Sequence, residues 1–130
     1  MPMFGSRETP EQREERRAFE RWAKDALRRA RERFRLIANT QTAELFLELL
    51  LSRPENLREP ALTRIYAHRD AEVAVELADI EAGILAEQGY RPVSSVAGVT
   101  RSSLGGITML GTFEQQTLTV TYERRGAGGG

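Results

Sequence analysis

Apolar side chains at helical spacing dominate the first third of the chain and constrain its fold more than any other feature. The run begins at Thr9-Pro10-Glu11-Gln12, where Thr9 can cap first-turn amides, Pro10 suits the first helical position and Gln12 can reach back. Beyond it, apolar residues recur at steps of three and four, which places them on one face of a helix. They are Phe19, Trp22, Ala23, Ala26, Leu27, Ala30, Phe34, Ile37 and Ala38. The pattern predicts a long amphipathic helix.

Charge is segregated between this helix and a later one. Residues 7–35 contain eleven Lys or Arg against seven acids, whereas residues 70–88 contain six acids and no Lys or Arg. Because the whole chain has nineteen bases and nineteen acids, only local fields can steer a partner. The bases that lie opposite the apolar stripe are Arg17, Arg21, Lys24, Arg28, Arg31 and Arg35.

A second helix is predicted after the first. The polar run Asn39–Thr42 favours a break, followed by a helix over Ala43–Leu51 that ends before Pro54. One continuous helix from Pro10 to Ser52 is the alternative. The Leu-rich segment is apolar nearly all round, which is typical of a helix buried on several sides. We expect a partner subunit to cover one of them.

The rest of the chain combines strands with one helix. Leu62–His68 alternates like a strand, and the next helix has Asp70 as its N-cap and Gly89 after its C-terminus. That helix carries a core stripe of Val73, Leu77, Ile80 and Ile84, and an outer acidic arc of Glu72, Glu76, Asp79 and Glu87 broken by Gly83. Further strands are predicted over 93–100, 107–113 and 117–123, with turns around 102–106 and 114–116.

These elements predict an α+β protein in which an N-terminal helical arm or hairpin precedes a small antiparallel β-α-β-β unit. The predicted organisation is a flexible N-terminus (1–9), the helical arm or hairpin (10–53), the β-α-β-β domain (54–125) and a disordered Gly-rich tail (126–130). The core stripe of the third helix is expected to pack on the sheet.

Residues 60–125 also carry a family resemblance. It rests on Ile65-Tyr66, on the helix end Ala86-Glu87-Gln88-Gly89-Tyr90-Arg91-Pro92-Val93-Ser94, and on Thr117-Leu118-Thr119-Val120-Thr121-Tyr122-Glu123-Arg124. The segment resembles small bacterial β-α-β-β domains of unknown function, which implies a fold and no chemistry. Some of those domains place an apolar membrane segment between the last two strands. Gly98 to Gly111 is too polar and too short for that role.

Several classes of chemistry are excluded by composition. The chain has no cysteine, which removes disulfides, thiolate metal sites and cysteine nucleophiles. No stretch resembles a signal peptide or a transmembrane segment, so we expect a cytoplasmic protein. Gly105, Gly106 and Gly111 are interpreted as hairpin turns, because they match no phosphate-binding fingerprint. We predict no catalytic residue, no metal site and no cofactor.

Two titratable residues have alternative interpretations. Tyr66, His68 and Asp70 would share one side of a strand, so a small-ligand or enzyme site near His68 and Asp70 is one hypothesis. The sequence favours His68 as a surface or loop residue instead. Glu81 falls within the apolar arc of its helix, so it must reach the rim or pair with a base such as Arg64.

The leading functional hypothesis is a non-catalytic protein-interaction or self-assembly module. The Arg face of the first helix would dock on the acidic arc of the third, within a subunit or between subunits, and the Leu-rich helix would supply apolar burial. The partners would be further copies of the chain, as a homo-oligomer, or another protein. The predicted surface comprises Trp22, Arg28, Arg29, Arg31, Arg33, Phe34, Phe46, Leu50, Glu72, Glu76 and Asp79.

Nucleic-acid binding is the alternative function. The run Arg28–Arg35 clusters guanidinium groups that can neutralise phosphates, and Phe34 could stack on a base. Against this hypothesis, Phe34 lies on the apolar stripe and the chain is neutral overall. A dedicated nucleic-acid binder usually has a basic domain as well as a basic helical turn.

Overall fold

The computed structural model describes residues 8–103 and 112–125. Its architecture is α+β, as predicted, with two helices before a three-stranded antiparallel sheet and a third helix between its first two strands in the chain. In chain order the elements are α1 (Pro10–Phe34), α2 (Gln41–Leu50), a 3-10 turn (Pro54–Leu57), β1 (Ala61–His68), α3 (Ala71–Ala86), β2 (Tyr90–Ser103) and β3 (Thr112–Arg124). The predicted N-terminal segment before Glu8 and the Gly-rich tail lie outside the described residues.

The N-terminal helical segment consists of two helices, α1 and α2. The alternative of one continuous helix from Pro10 to Ser52 is therefore wrong. At its start, the Thr9 hydroxyl accepts from the Gln12 amide and the Gln12 side chain accepts from the Thr9 amide, so the predicted capping box is confirmed. At its end the chain turns through Asn39, which has a left-handed φ of 62°. The Thr40 hydroxyl donates to the Phe34 carbonyl across this turn, and α2 starts at the next residue.

Helix α3 begins and ends at the predicted residues. The Asp70 carboxylate accepts from the Glu72 amide, which satisfies one of the free donors of the first turn. Gly89 has a φ of 88° and connects the helix to β2, a conformation that costs glycine little.

The sheet has the order β1-β3-β2, so β3 lies in the centre. β1 pairs with β3 from Ala61 opposite Glu123 to His68 opposite Gln116. β2 pairs with β3 from Tyr90 opposite Arg124 to Ser103 opposite Thr112, interrupted by a bulge between Pro92 and Ser94. The hairpin of β2 and β3 therefore extends beyond the end of β1.

The predicted turn at Glu114–Gln116 is wrong. These residues lie within β3, where Glu114, Gln115 and Gln116 pair with Arg101, Thr100 and Val99 of β2. Their polar character follows from position, because Glu114 and Gln115 lie where no β1 neighbour is present. The predicted strand over 107–113 overlaps β3 only at Thr112 and Phe113, and Gly105, Gly106 and Gly111 lie outside the described residues.

One apolar core joins the helices to the sheet. It includes Phe34 of α1, Leu47 of α2, Ile84 of α3 and Tyr122 of β3, all buried. From the predicted α3 stripe, Leu77, Ile80 and Ile84 are buried, and Val73 packs against the same core partly exposed.

Candidate functional site

A basic ridge runs along the solvent face of α1. Its members follow each other at alternating steps of four and three residues, so they lie within one narrow arc of the helix. All of them are exposed. The basic ridge consists of Arg17, Arg21, Lys24, Arg28, Arg31 and Arg35.

Ion pairs neutralise half of the basic ridge. Arg28 contacts the Asp25 and Glu32 carboxylates at 2.9 and 2.7 Å, and this hydrogen bonding lowers the pKa of Asp25. Arg21 pairs with Glu14, and Arg31 pairs with Glu44 and Glu48 of α2. Among residues 8–103 and 112–125, no carboxylate lies within 4 Å of the remaining three members, Arg17, Lys24 and Arg35.

The basic and acidic helices meet at Glu87. Arg29 donates two hydrogen bonds to its carboxylate, at 2.6 and 2.8 Å, and the Trp22 indole N–H donates a third at 2.9 Å. These bonds, led by Arg29, lower the pKa of Glu87 because they favour its charged form. In the part of the chain that the structure describes, this is the single ion pair between α1 and α3.

An acidic strip covers the solvent face of α3. Glu72, Glu76 and Asp79 are exposed, and a Cβ added at Gly83, farther along the same face, would meet no atom within 4 Å. No ion pair to these three carboxylates is present among the described residues. The Arg helix was predicted to dock on the whole acidic arc. Within the described chain, it contacts that arc at Glu87 alone. The acidic strip, defined as Glu72, Glu76 and Asp79, stays open.

Helix α2 presents an apolar face to solvent. Leu45, Phe46 and Leu49 are 52%, 47% and 56% exposed. Leu47 is fully buried on the opposite side of the same short helix. Leu49 lies next to both of the others on the helix surface, because it is four residues from Leu45 and three from Phe46. We call them the α2 apolar face.

The structure removes two residues from the predicted interaction surface. Phe34 is 3% exposed and Leu50 is 8% exposed, so both belong to the core of the chain and offer no surface to a partner. The reason is packing: the break after α1 turns α2 back, and both side chains point into the shared core. Of the others, Trp22 and Arg29 are engaged with Glu87, whereas Arg28, Arg31, Arg33, Phe46, Glu72, Glu76 and Asp79 are exposed.

A buried polar network links β1 to α3. Glu81 accepts two hydrogen bonds from the Arg64 guanidinium at 2.8 and 2.9 Å, which confirms the predicted pair. Glu81 also accepts a hydrogen bond from the Tyr66 hydroxyl, which lies 2.8 Å from the Tyr122 hydroxyl. Burial is the main cause that raises the pKa of both Tyr66 and Tyr122.

Carboxylate, guanidinium and phenol groups of this kind also occur in reactive sites. Here they bond to one another, as in a structural network. Among the described residues, no buried side-chain nitrogen or oxygen lacks a hydrogen-bond partner. Sequence reasoning grouped Tyr66 with His68 and Asp70 and missed Tyr122, although strand alternation also places Arg64 and Tyr66 on one face of β1. The central position of β3, which brings Tyr122 beside Tyr66, has no local sequence signal.

The hypothesis of a site at Tyr66, His68 and Asp70 is not supported by their contacts. His68 is 8% exposed, so the prediction of a surface or loop residue is wrong. Its Nε2 lies 2.9 Å from the Ala38 carbonyl, to which it must donate, and its Nδ1 accepts from the Asp70 amide. The Asp70 carboxylate caps α3, and Tyr66 contacts Glu81. His68 thus fastens the turn after α1 to the end of β1.

The described residues contain no group of three or more His, Asp or Glu side chains arranged to hold a metal ion. Within the same ranges, no helix combines the length and the apolar character needed to cross a bilayer.

Comparison with protein-family models, curated proteins and solved structures finds no match to this chain. The basic ridge, the acidic strip and the α2 apolar face are therefore interpreted from their own chemistry.

Proposed function

We propose that this chain is a non-catalytic interaction module that associates with further copies of itself. The observation that carries the proposal is the α2 apolar face, where three large apolar side chains are half-exposed side by side. Clustered exposed apolar side chains are typical of interaction sites, whereas single ones are common on any surface.

Charge complementarity supports a second copy as the occupant. The basic ridge and the acidic strip follow the same alternation of three- and four-residue steps, and both are exposed. The ridge spans about 27 Å of helix and the strip about 10 Å, so one strip covers part of one ridge. The basic ridge of one copy can therefore meet the acidic strip of another copy. Such complementarity sets register and partner choice, while the α2 apolar face supplies burial.

Paired charge reversal tests the proposal. The ridge variant carries Arg17→Glu and Lys24→Glu, which break no ion pair within 4 Å among the described residues. The strip variant carries Glu76→Arg and Asp79→Arg. We expect each variant alone to lose association by about ten-fold or more in the dissociation constant, measured by sedimentation or light scattering. An equimolar mixture of the two variants should associate again, because every contact regains opposite charges.

A matched apolar substitution tests the role of α2. Leu49→Gln should weaken association, whereas Ile65→Thr on β1, an equally exposed apolar position at 58%, should leave it unchanged. A wild-type chain that stays monomeric at every concentration and salt level would contradict the proposal. So would a mixture of the two charge variants that fails to associate while the wild type does.

The three unpaired bases of the ridge favour a second candidate, nucleic-acid binding. Phosphates would contact Arg17, Lys24 and Arg35 without first displacing a carboxylate within 4 Å among the described residues. The same variants separate the candidates. If nucleic acid is the partner, the wild type and the strip variant are retained on polyuridine, the ridge variant is not, and mixing the variants restores nothing.

A further inference from the structure

A groove with an aromatic wall lies on another side of α1, away from the basic ridge. It has a volume of about 380 Å³ and lies between α1, the 3-10 turn and the connection from α3 to β2. Phe19 and Trp22 of α1 line it together with Leu57 of the 3-10 turn, and both rings pack against the core to which Leu57 belongs. The volume is within the range of pockets that hold small organic molecules.

The aromatic wall is held in place by the contacts at Glu87. Trp22 donates its indole N–H to that carboxylate, and Arg29 fixes the carboxylate with two further hydrogen bonds. The Phe19 ring lies 5.7 Å from the Trp22 ring at an interplanar angle of 49°. Both rings are only partly buried. The wall is therefore oriented before any ligand arrives, which lowers the entropy lost on binding.

The polar lining of the groove is net positive. Arg58 and Arg124 line it, and no carboxylate lies within 4 Å of either guanidinium in the described ranges. Glu15 is the single carboxylate in the lining, so two positive charges face one negative charge. Arg124 is anchored at the end of β3, where its amide donates to the Pro60 carbonyl at 2.9 Å. Its stem passes beside Gly89.

We propose that this groove binds a small aromatic carboxylate. The aromatic body would stack on Phe19 and Trp22, and the carboxylate would accept hydrogen bonds from Arg58 and Arg124. Guanidinium groups match carboxylates in planar geometry, and aromatic faces favour offset or edge-on contact with another ring. This inference is independent of self-association, because it uses none of the residues of the basic ridge, the acidic strip or the α2 apolar face.

The chain contains one tryptophan, so its emission reports directly on the groove. Three ligands with the same body and different charge are titrated against the full chain: 3-phenylpropionate, 3-phenylpropanol and 3-phenylpropylamine. We expect saturable quenching by the carboxylate, with a dissociation constant on the order of 1 mM for so small a ligand. The alcohol should bind about five-fold more weakly and the amine more weakly still. Equal response to all three, or no saturation, would overturn the proposal.

The double variant Arg58→Gln, Arg124→Gln tests the role of the two bases. It should lose the preference for the carboxylate and keep its weak response to the alcohol, which shows that the groove is intact. Arg53→Gln, beside the same turn and outside the lining, is the matched control and should change nothing. Retention of the carboxylate preference in the double variant would refute the site. A Trp22 emission that depends on protein concentration without ligand would assign the groove to a second copy instead.

Discussion

Glu81 and Arg64 form the ion pair most removed from water in the described part of the chain. The side chains are 4% and 19% exposed, whereas every other ion pair there is at least one-third exposed on both sides. Burying two charges costs desolvation energy that their attraction offsets only when both are present. The two residues should therefore behave as a unit.

Removing one charge should cost more than removing both. We expect Glu81→Leu to lower the free energy of unfolding by about 3 kcal/mol, because Arg64 is left without its partner. Adding Arg64→Leu should recover at least half of that loss. Urea unfolding measures both, and Glu76→Leu on the exposed side of α3 is the control, with a change within about 0.5 kcal/mol. Additive losses would show that the charges act independently.

All three tyrosines of the chain should resist ionisation. Burial raises the pKa of Tyr66, Tyr90 and Tyr122 above the ordinary value of 10.0. A raised pKa means that the neutral phenol favours the folded state. That stabilisation is complete below pH 10 and is lost as the pH rises above it. Tyrosinate absorbance should appear together with the loss of far-UV circular dichroism. Ionisation near pH 10 with the helices intact would contradict the burial of these rings.

Residue-level predictions succeeded where a charged side chain had a single available partner. Glu81 lies on the apolar arc of α3, so a partner was required, and Arg64 was the available base on the neighbouring strand. The prediction that His68 is a surface or loop residue is wrong because its burial depends on the Ala38 carbonyl, thirty residues earlier in the chain. No local pattern encodes that contact, since it arises only when the α1–α2 turn packs against β1.

At the scale of elements, a glycine within α3 and a glycine after its end have opposite roles. Gly83 faces solvent in the helix interior, where a Cβ would meet no atom within 4 Å. Gly89 follows the helix with a φ of 88°, where the nearest atom to a Cβ is Arg124 Cγ at 3.7 Å. The first glycine only weakens the helix, whereas the second permits its termination.

The two glycines should respond to alanine with opposite signs. Gly83→Ala should stabilise the chain by roughly 0.5–1 kcal/mol, because it reduces the freedom of the unfolded state. Gly89→Ala should destabilise it by about 1–2 kcal/mol through backbone strain alone, since the added methyl group has room. Thermal unfolding of the two variants checks the contrast. If both variants were stabilised, or both destabilised, one of the two backbone conformations would differ from the one described.

The start of α1 and both ends of α3 were predictable because their signals are local, whereas α1 ends at Phe34, before the last residues of the predicted apolar stripe. Thr9, Gln12, Asp70 and Gly89 each satisfy or release a backbone group within a few residues. The strand β3 was divided by mistake because its Glu114–Gln116 segment is polar on both faces, as a turn would be. Pairing with β2, joined at Gln116 by pairing with β1, keeps it extended, and sequence patterns do not reveal either partner.

At the scale of the whole molecule, the core crosses the predicted boundary between a helical arm and a β-α-β-β domain. Of the seventeen core residues in the described ranges, seven come from the segment 10–53: Ala23, Ala26, Ala30, Phe34, Leu47, Leu50 and Leu51. The sheet and α3 provide the others together with Leu57 of the 3-10 turn. The two segments therefore depend on each other for burial.

A chain truncated to residues 54–125 should fail to fold cooperatively. It would lose the α1 side chains that pack against α3 and the 3-10 turn, and a core this small gives little stability. We expect a broad thermal transition and binding of a hydrophobic dye, compared with a sharp transition for the full chain. A sharp transition in the truncated chain would establish it as an independent domain.

The candidate interaction surfaces were predictable in part. Period alone places Arg28, Arg31 and Glu76 on solvent faces of their helices, and the structure agrees. The Leu-rich helix was the difficult case, because nearly every position is apolar and periodicity cannot separate core from surface. The direction in which α2 turns back buries Leu50 and exposes Leu49, and the turn before it includes Asn39 in a left-handed conformation.

The edge strand β2 affects how readily the chain aggregates when it is stored or concentrated. In a three-stranded sheet of this order, β1 and β2 are the edge strands among the described residues, and edge strands invite pairing between molecules. Pro92 offers no amide hydrogen, and the bulge that follows shifts the register. An incoming strand would be interrupted at the start of β2, which works against fibrous aggregation through that end of the edge.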